Sequence, residues 1–109
     1  MGVVLNFIYV DAEPLFAAKT ILRENGPNNE SNIQKLLNAR INFIIMSNLE
    51  YDYFKKIYPN LDRADFEMDA LNTKCALSKK SKIKLEDLNK AVATLKKNGT
   101  IDRILRSYQ

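Results

Sequence analysis

A nearly continuous apolar run, Ile41-Asn42-Phe43-Ile44-Ile45-Met46, constrains the fold of this chain more than any other feature. Its length is that of an ordinary β-strand. A strand without an alternating polar face is usual where helices cover both sides of a parallel sheet. The run therefore predicts an interior strand of an α/β fold, with helices packed on either face of the sheet.

The residues before this run predict one strand and two helices. Val3–Val10 is rich in β-branched and aromatic side chains and predicts a buried strand. Pro14 suits the first turn of a helix that Asn25-Gly26-Pro27 would end. A second helix is expected after the polar segment Asn28–Ser31. Its apolar side chains recur at helical spacing: Ile33, Leu36 and Leu37.

The residues after the run predict three more helices and two short strands. The third helix covers Leu49–Ile57, and the strands lie near Ala64–Met68 and Thr73–Ser78. Two amphipathic helices separated by Gly99 end the chain. The predicted order is β-α-α-β-α-β-β-α-α, which indicates a three-layer α/β sandwich with a partly parallel sheet.

Composition excludes several classes of protein. The 109 residues are 46% hydrophobic, enough for the core of one domain. The longest apolar run is far below the roughly 20 residues of a membrane-spanning helix, and the apolar start lacks the basic segment of a signal peptide. The net charge of +4 comes mainly from lysines without interleaved aromatic residues, so we expect no nucleic-acid partner.

The residue inventory also argues against an enzyme. The chain has no His and one Cys, so it offers no zinc site, no internal disulfide and no His-based nucleophile pair, and we expect no cofactor. The apolar context of Cys75 predicts a buried side chain. Two carboxylate pairs, Glu50 with Asp52 and Asp62 with Asp65, lie in polar loops or on a solvated helix face.

Three stretches resemble one protein family. The first, from Ser31 to Ile45, is similar to a motif Leu-x-x-Gly-Arg-x-Asp that precedes a strand, with Ala39 in place of the Gly and Asn42 in place of the Asp. The second, Cys75–Ser81, resembles a hinge strand and its Ser-Lys turn. The third is a C-terminal pattern whose matching residues are Leu85, Asn89, Ala91, Leu95, Gly99, Ile101 and Ile104. The family is that of bacterial extracellular solute-binding proteins, family 3, which deliver amino acids to ABC transporters.

The resemblance implies an architecture and a function. Such proteins trap a small polar solute between two α/β lobes and break no bond. It places residues 1–72 in the second lobe, of the periplasmic-binding-protein-like type II fold, residues 73–79 in a hinge-like strand, and residues 80–109 in a C-terminal helical tail. It also implies a periplasmic location, with the membrane subunits of an ABC transporter as partners.

The same resemblance indicates where a ligand would bind. Aligned by motif, Asp11 follows the first strand, and Ser47 with Asn48 follows the interior strand. Ligands of open α/β sheets bind at the carboxyl ends of the strands, so these three residues are the candidate ligand-binding side chains. The alternative function is an interaction module that no longer binds solute and forms a homodimer through its apolar C-terminal helices.

Overall fold

The computed structural model describes residues 1–70 and 74–109, which form a mixed α/β structure with a small parallel sheet. Its elements are β1 Gly2–Val4, α1 Glu13–Ala17, β2 Glu24–Gly26, α2 Asn29–Leu37, α3 Asn48–Ile57, α4 Leu85–Lys97 and α5 Thr100–Arg106. In the described ranges, no helix combines the length and apolar character needed to cross a bilayer.

The strand β1 has a neighbour on each side. On one side it pairs in parallel with β2, in a register that places Gly2 opposite Glu24 and Val4 opposite Gly26. On the other side Gly2 forms a single parallel bridge with Ile44. Two backbone hydrogen bonds make that bridge: Gly2 N–H donates to Phe43 O at 2.9 Å, and Ile45 N–H donates to Gly2 O at 3.2 Å.

The prediction that Ile41–Met46 is an interior strand is therefore wrong, because β1 takes that place and the apolar run lies beside it at the edge. The next step of a parallel ladder would have Val4 N–H donate to Ile45 O. That donor instead bonds the hydroxyl of Tyr9 at 3.0 Å. Pairing stops after one bridge, and Phe43 remains 43% exposed.

The first strand is also shorter than predicted. It ends at Val4 because Asn6 adopts a left-handed conformation with φ of 67°, which turns the chain out of the sheet. The apolar residues beyond the turn are not covered: Phe7 and Val10 are each 60% exposed, and Ile8 is 78% exposed.

The helix expected to run from Pro14 to Asn25 is interrupted after one and a half turns. α1 ends at Ala17, and Lys19 follows with φ of 55°. Gly26 is consequently not a helix cap but part of β2. A Cβ atom on it would lie 2.2 Å from Asn32 Oδ1, so only glycine lets α2 approach β2 this closely.

The second helix, α2, forms as predicted and covers the small sheet. Asn28 caps it by accepting a hydrogen bond from Ser31 N–H at 2.8 Å. Ile33 is fully buried on the face that packs against β1 and β2. Among the described residues the core is small, and its buried hydrophobic members are Val3, Ala12, Ile33, Ile41 and Leu61.

α2 ends in a Schellman motif. Ala39 N–H donates to Leu36 O at 3.0 Å, and Arg40 N–H donates to Lys35 O at 2.9 Å. Ala39 has φ of 54°. This left-handed position is the one at which the solute-binding motif carries glycine.

The predictions of α3, α4 and α5 are confirmed. Gly99 lies between α4 and α5 in a left-handed conformation, with φ of 74°. The two later strands are not seen: residues 64–68 and 74–78 lie in no regular element. Thr73 and the predicted boundary at 72–73 fall outside the described residues. Cys75 is exposed, against the prediction, because no paired strand covers its alternating segment.

Candidate functional site

The three candidate residues lie in two loops that follow the carboxyl ends of β1 and of the chain beside it. Asp11 belongs to the connection between β1 and α1, while Ser47 and Asn48 begin α3. All three residues are exposed. In chain order Asp11 comes seven residues after the end of β1, and Ser47 comes three residues after the bridge at Ile44.

The hydroxyl of Ser47 is engaged in capping α3. It accepts from Glu50 N–H at 3.2 Å and donates to Glu50 Oε2 at 2.9 Å, while Ser47 N–H donates to the same carboxylate oxygen at 3.2 Å. These contacts form a capping box. Glu50 Oε1 in turn accepts from Asn29 Nδ2 at 2.8 Å, which ties the beginning of α3 to the beginning of α2.

A segment that the sequence did not implicate, residues 67–69, joins the two loops. Asp11 N–H donates to Asp69 Oδ1 at 2.7 Å, and Asp69 N–H donates to Asp11 Oδ2 at 2.8 Å. Asn48 Nδ2 donates to Glu67 Oε1 at 3.2 Å. Because Glu67 and Asp69 are two residues apart, their Cα atoms lie within about 7 Å. The structure therefore brings Asp11 and Asn48 into one patch.

We call this patch the carboxyl edge; it consists of Asp11, Ser47, Asn48, Glu67 and Asp69. Three of its five side chains carry carboxylates, so its potential favours cations over anions. Asp69 Oδ2 is buried without a hydrogen-bond partner, and Asp69 has a left-handed φ of 54°. Among residues 1–70 and 74–109, no group of three His, Cys, Asp or Glu side chains is arranged to hold a metal ion. The edge is suited to accept hydrogen bonds from a cationic group such as an amine.

The contacts of the candidate site differ in how far the sequence alone predicts them. The spacing of Ser47 and Glu50 is that of a capping box and was sufficient to predict their contact. Glu67 and Asp69 had no such signal. Their contacts with Asn48 and Asp11 span 19 and 58 residues of sequence, and no local pattern encodes contacts of that range.

An apolar groove lies on another side of α3, where α5 approaches it. Its volume is about 400 Å³. The C-terminal end of the chain is held there by Lys56, whose Nζ donates to the backbone oxygens of Tyr108 and Gln109 at 3.2 and 2.7 Å. The lining residues are Leu49, Glu50, Tyr53, Phe54, Leu105 and Tyr108. Glu50 is common to the groove and to the capping contacts of Ser47.

Comparison with known proteins gives no relative: no family model matches the chain, and no curated protein or solved structure is significantly similar to it.

Proposed function

We propose that the chain is a non-enzymatic solute-binding lobe that holds a small polar solute at the carboxyl edge. The observation that carries the proposal is the hydrogen-bonded link from Asp11 through residues 67–69 to Asn48. This link joins the two chain segments in which the resemblance to family 3 solute-binding proteins places the candidate ligand-binding residues. The parallel order of β2, β1 and the chain at Ile44 supports the same reading.

The charge of the edge favours a solute that bears an amine. Asp11, Glu67 and Asp69 make the edge negative, Asp11 and Glu67 supply exposed acceptor oxygens, and a protonated amine donates up to three hydrogen bonds. A solute that carries only carboxylates would meet like charges here. We therefore propose amino acids with a basic side chain, or small diamines, as the ligand class.

The proposal also includes the detailed architecture of the lobe, its cellular location and its partners. We propose that the lobe has the three-layer type II arrangement, with the C-terminal helices as a tail, and that it acts in the periplasm with the membrane subunits of an ABC transporter. The support for these points is the order of motifs along the chain and the left-handed backbone at Ala39, where the family's glycine stands.

Thermal unfolding in the presence of candidate solutes tests the proposal. A ligand that binds the folded state stabilises it by about 2.7 kcal/mol at a concentration of 100 times Kd. For a chain of this size, we expect the melting temperature to rise by roughly 10 °C. Lysine, arginine, ornithine and putrescine should produce the shift, and succinate or acetate should not.

Substitutions that remove a carboxylate charge but keep the shape of the side chain test whether the amine binds at the carboxyl edge. Glu67→Gln and Asp69→Asn should each reduce the amine-induced shift, because each removes a carboxylate from the carboxyl edge. Asp102→Asn is the matched control, since it makes the same change on α5 and should leave the shift intact. If no amine raises the melting temperature of the unsubstituted chain, the proposed function is wrong.

A further inference from the structure

The edge of β1 that faces the apolar run Ile41–Met46 is paired with it only at Gly2. In a parallel sheet, alternate residues of a strand bond to the same neighbouring strand, so Gly2 and Val4 are the residues of β1 that face the run. Both backbone groups of Gly2 bond to the run. Neither backbone group of Val4 does, because both are bonded elsewhere.

The loop that follows β1 takes both backbone groups of Val4. Val4 N–H donates to Tyr9 Oη at 3.0 Å, and Val4 O accepts from Phe7 N–H at 3.2 Å. In a longer ladder Val4 N–H would donate to Ile45 O. Within residues 1–70 and 74–109, Ile45 O accepts no hydrogen bond. The hydroxyl of Tyr9 and the carbonyl of Ile45 are thus alternative acceptors for one donor.

Arg23 holds Tyr9 in this position. Its Cζ lies 5.8 Å from the centre of the Tyr9 ring, a distance at which the guanidinium is attracted to the face of an aromatic ring. Its Nη2 donates to Phe7 O at 2.8 Å, and its Nε donates to Asn25 Oδ1, in β2, at 2.9 Å. Arg23 therefore ties the loop to β2, which pairs with the edge of β1 opposite the apolar run.

We infer that Tyr9 is a latch on the sheet. While its hydroxyl accepts from Val4 N–H, pairing stops at Gly2. When the hydroxyl releases that donor, the apolar run pairs along β1 and becomes its third strand. The exchange replaces one hydrogen bond of Val4 with another, so it leaves no backbone donor unpaired.

The latch lies between the two chain segments that carry the carboxyl edge. Tyr9 precedes Asp11 by two residues, and the apolar run leads directly into Ser47. In the extended ladder Ser47 N–H would donate to Val4 O in place of the carboxylate of Glu50. Release therefore changes both segments. This consequence for solute binding rests on the proposed function, whereas the latch itself does not.

Scalar couplings across hydrogen bonds, measured by nuclear magnetic resonance on the isotope-labelled chain without solute, report the acceptor of Val4 N–H. Tyr9→Phe removes the hydroxyl and keeps the ring. We expect it to produce a coupling between Val4 N and the carbonyl carbon of Ile45 that the unsubstituted chain lacks. Hydrogen exchange of the Val4 amide should be no faster than before, because the amide remains hydrogen-bonded.

Absence of that coupling in Tyr9→Phe overturns the inference, and faster exchange of the Val4 amide would show that water has replaced the hydroxyl. The same coupling in the unsubstituted chain would also overturn it, since Tyr9 would then not hold the amide. The matched control is Tyr58→Phe, which removes a hydroxyl that accepts from Gln34 Nε2 at 3.1 Å and should leave Val4 unchanged.

A second variant releases the latch without altering Tyr9. Arg23→Gln removes the guanidinium from the Tyr9 ring and should produce the same coupling between Val4 and Ile45. Arg63→Gln is its matched control, since Arg63 Cζ lies at the same distance, 5.8 Å, from the ring of Tyr51. Circular dichroism verifies that each variant keeps its helices. If Tyr9→Phe does not fold, Arg23→Gln decides alone, and a Val4 amide without the coupling to Ile45 overturns the inference.

Discussion

Single residues decide where the elements of this chain end. Asn6, Lys19 and Ala39 each adopt a left-handed conformation, with φ between 54° and 67°. Such a conformation costs roughly 1–2 kcal/mol for a residue with a Cβ atom, yet the three positions end β1, α1 and α2. At Ala39 the cost has no compensation from a polar side chain, because a methyl group cannot form the local hydrogen bonds available to asparagine.

Replacing Ala39 with glycine should therefore stabilise the fold. The substitution relieves the left-handed backbone of the Schellman motif, and we expect the free energy of unfolding to rise by about 1 kcal/mol. The same replacement at Ala91, in the interior of α4, should lower it by about 1 kcal/mol, because glycine there only adds backbone entropy to the unfolded state. Urea denaturation of both variants measures the two changes, and equal signs would contradict this account of Ala39.

At the scale of elements, the helices differ in how they begin. α3 begins with the capping box of Ser47 and Glu50. The residue before α4 is Lys84, and its side chain makes no capping hydrogen bond. Ser47→Ala should lower the free energy of unfolding by about 1 kcal/mol, and Lys84→Ser should raise it by up to about 1 kcal/mol. Chemical denaturation followed by circular dichroism tests both changes. A destabilising effect of Lys84→Ser would contradict the role assigned to the cap.

Among the described residues, the four helices α2 to α5 were predictable, whereas α1 and the limits of the strands were not, for a physical reason. Helical spacing and caps are local, so α2, α3, α4 and α5 follow from the sequence with small errors at their ends. Strand limits depend on distant partners: the pairing of Ile44 stops because the hydroxyl of Tyr9 takes the donor of Val4. The candidate site divides in the same way. Asp11, Ser47 and Asn48 follow from the motif, while Glu67 and Asp69 enter through contacts of long range.

At the scale of the whole molecule, the small core and the large exposed surface have one consequence. In the part of the chain that the structure describes, the buried hydrophobic residues are Val3, Ala12, Ile33, Ile41 and Leu61, and α4 packs against α5. A fold with so little buried apolar area depends on whatever binds it, because binding to the folded state adds directly to stability. Solute at the carboxyl edge is the contribution that we propose.

The most direct test of the central claim is a nuclear magnetic resonance titration of the isotope-labelled chain with the amine that raises its melting temperature most. The account predicts that the backbone amide signals of Asp11, Asn48, Glu67 and Asp69 shift together, with one dissociation constant. Signals that shift only around the groove of Tyr53 and Leu105, or no shift at saturating amine, would contradict the assignment of the carboxyl edge as the solute site.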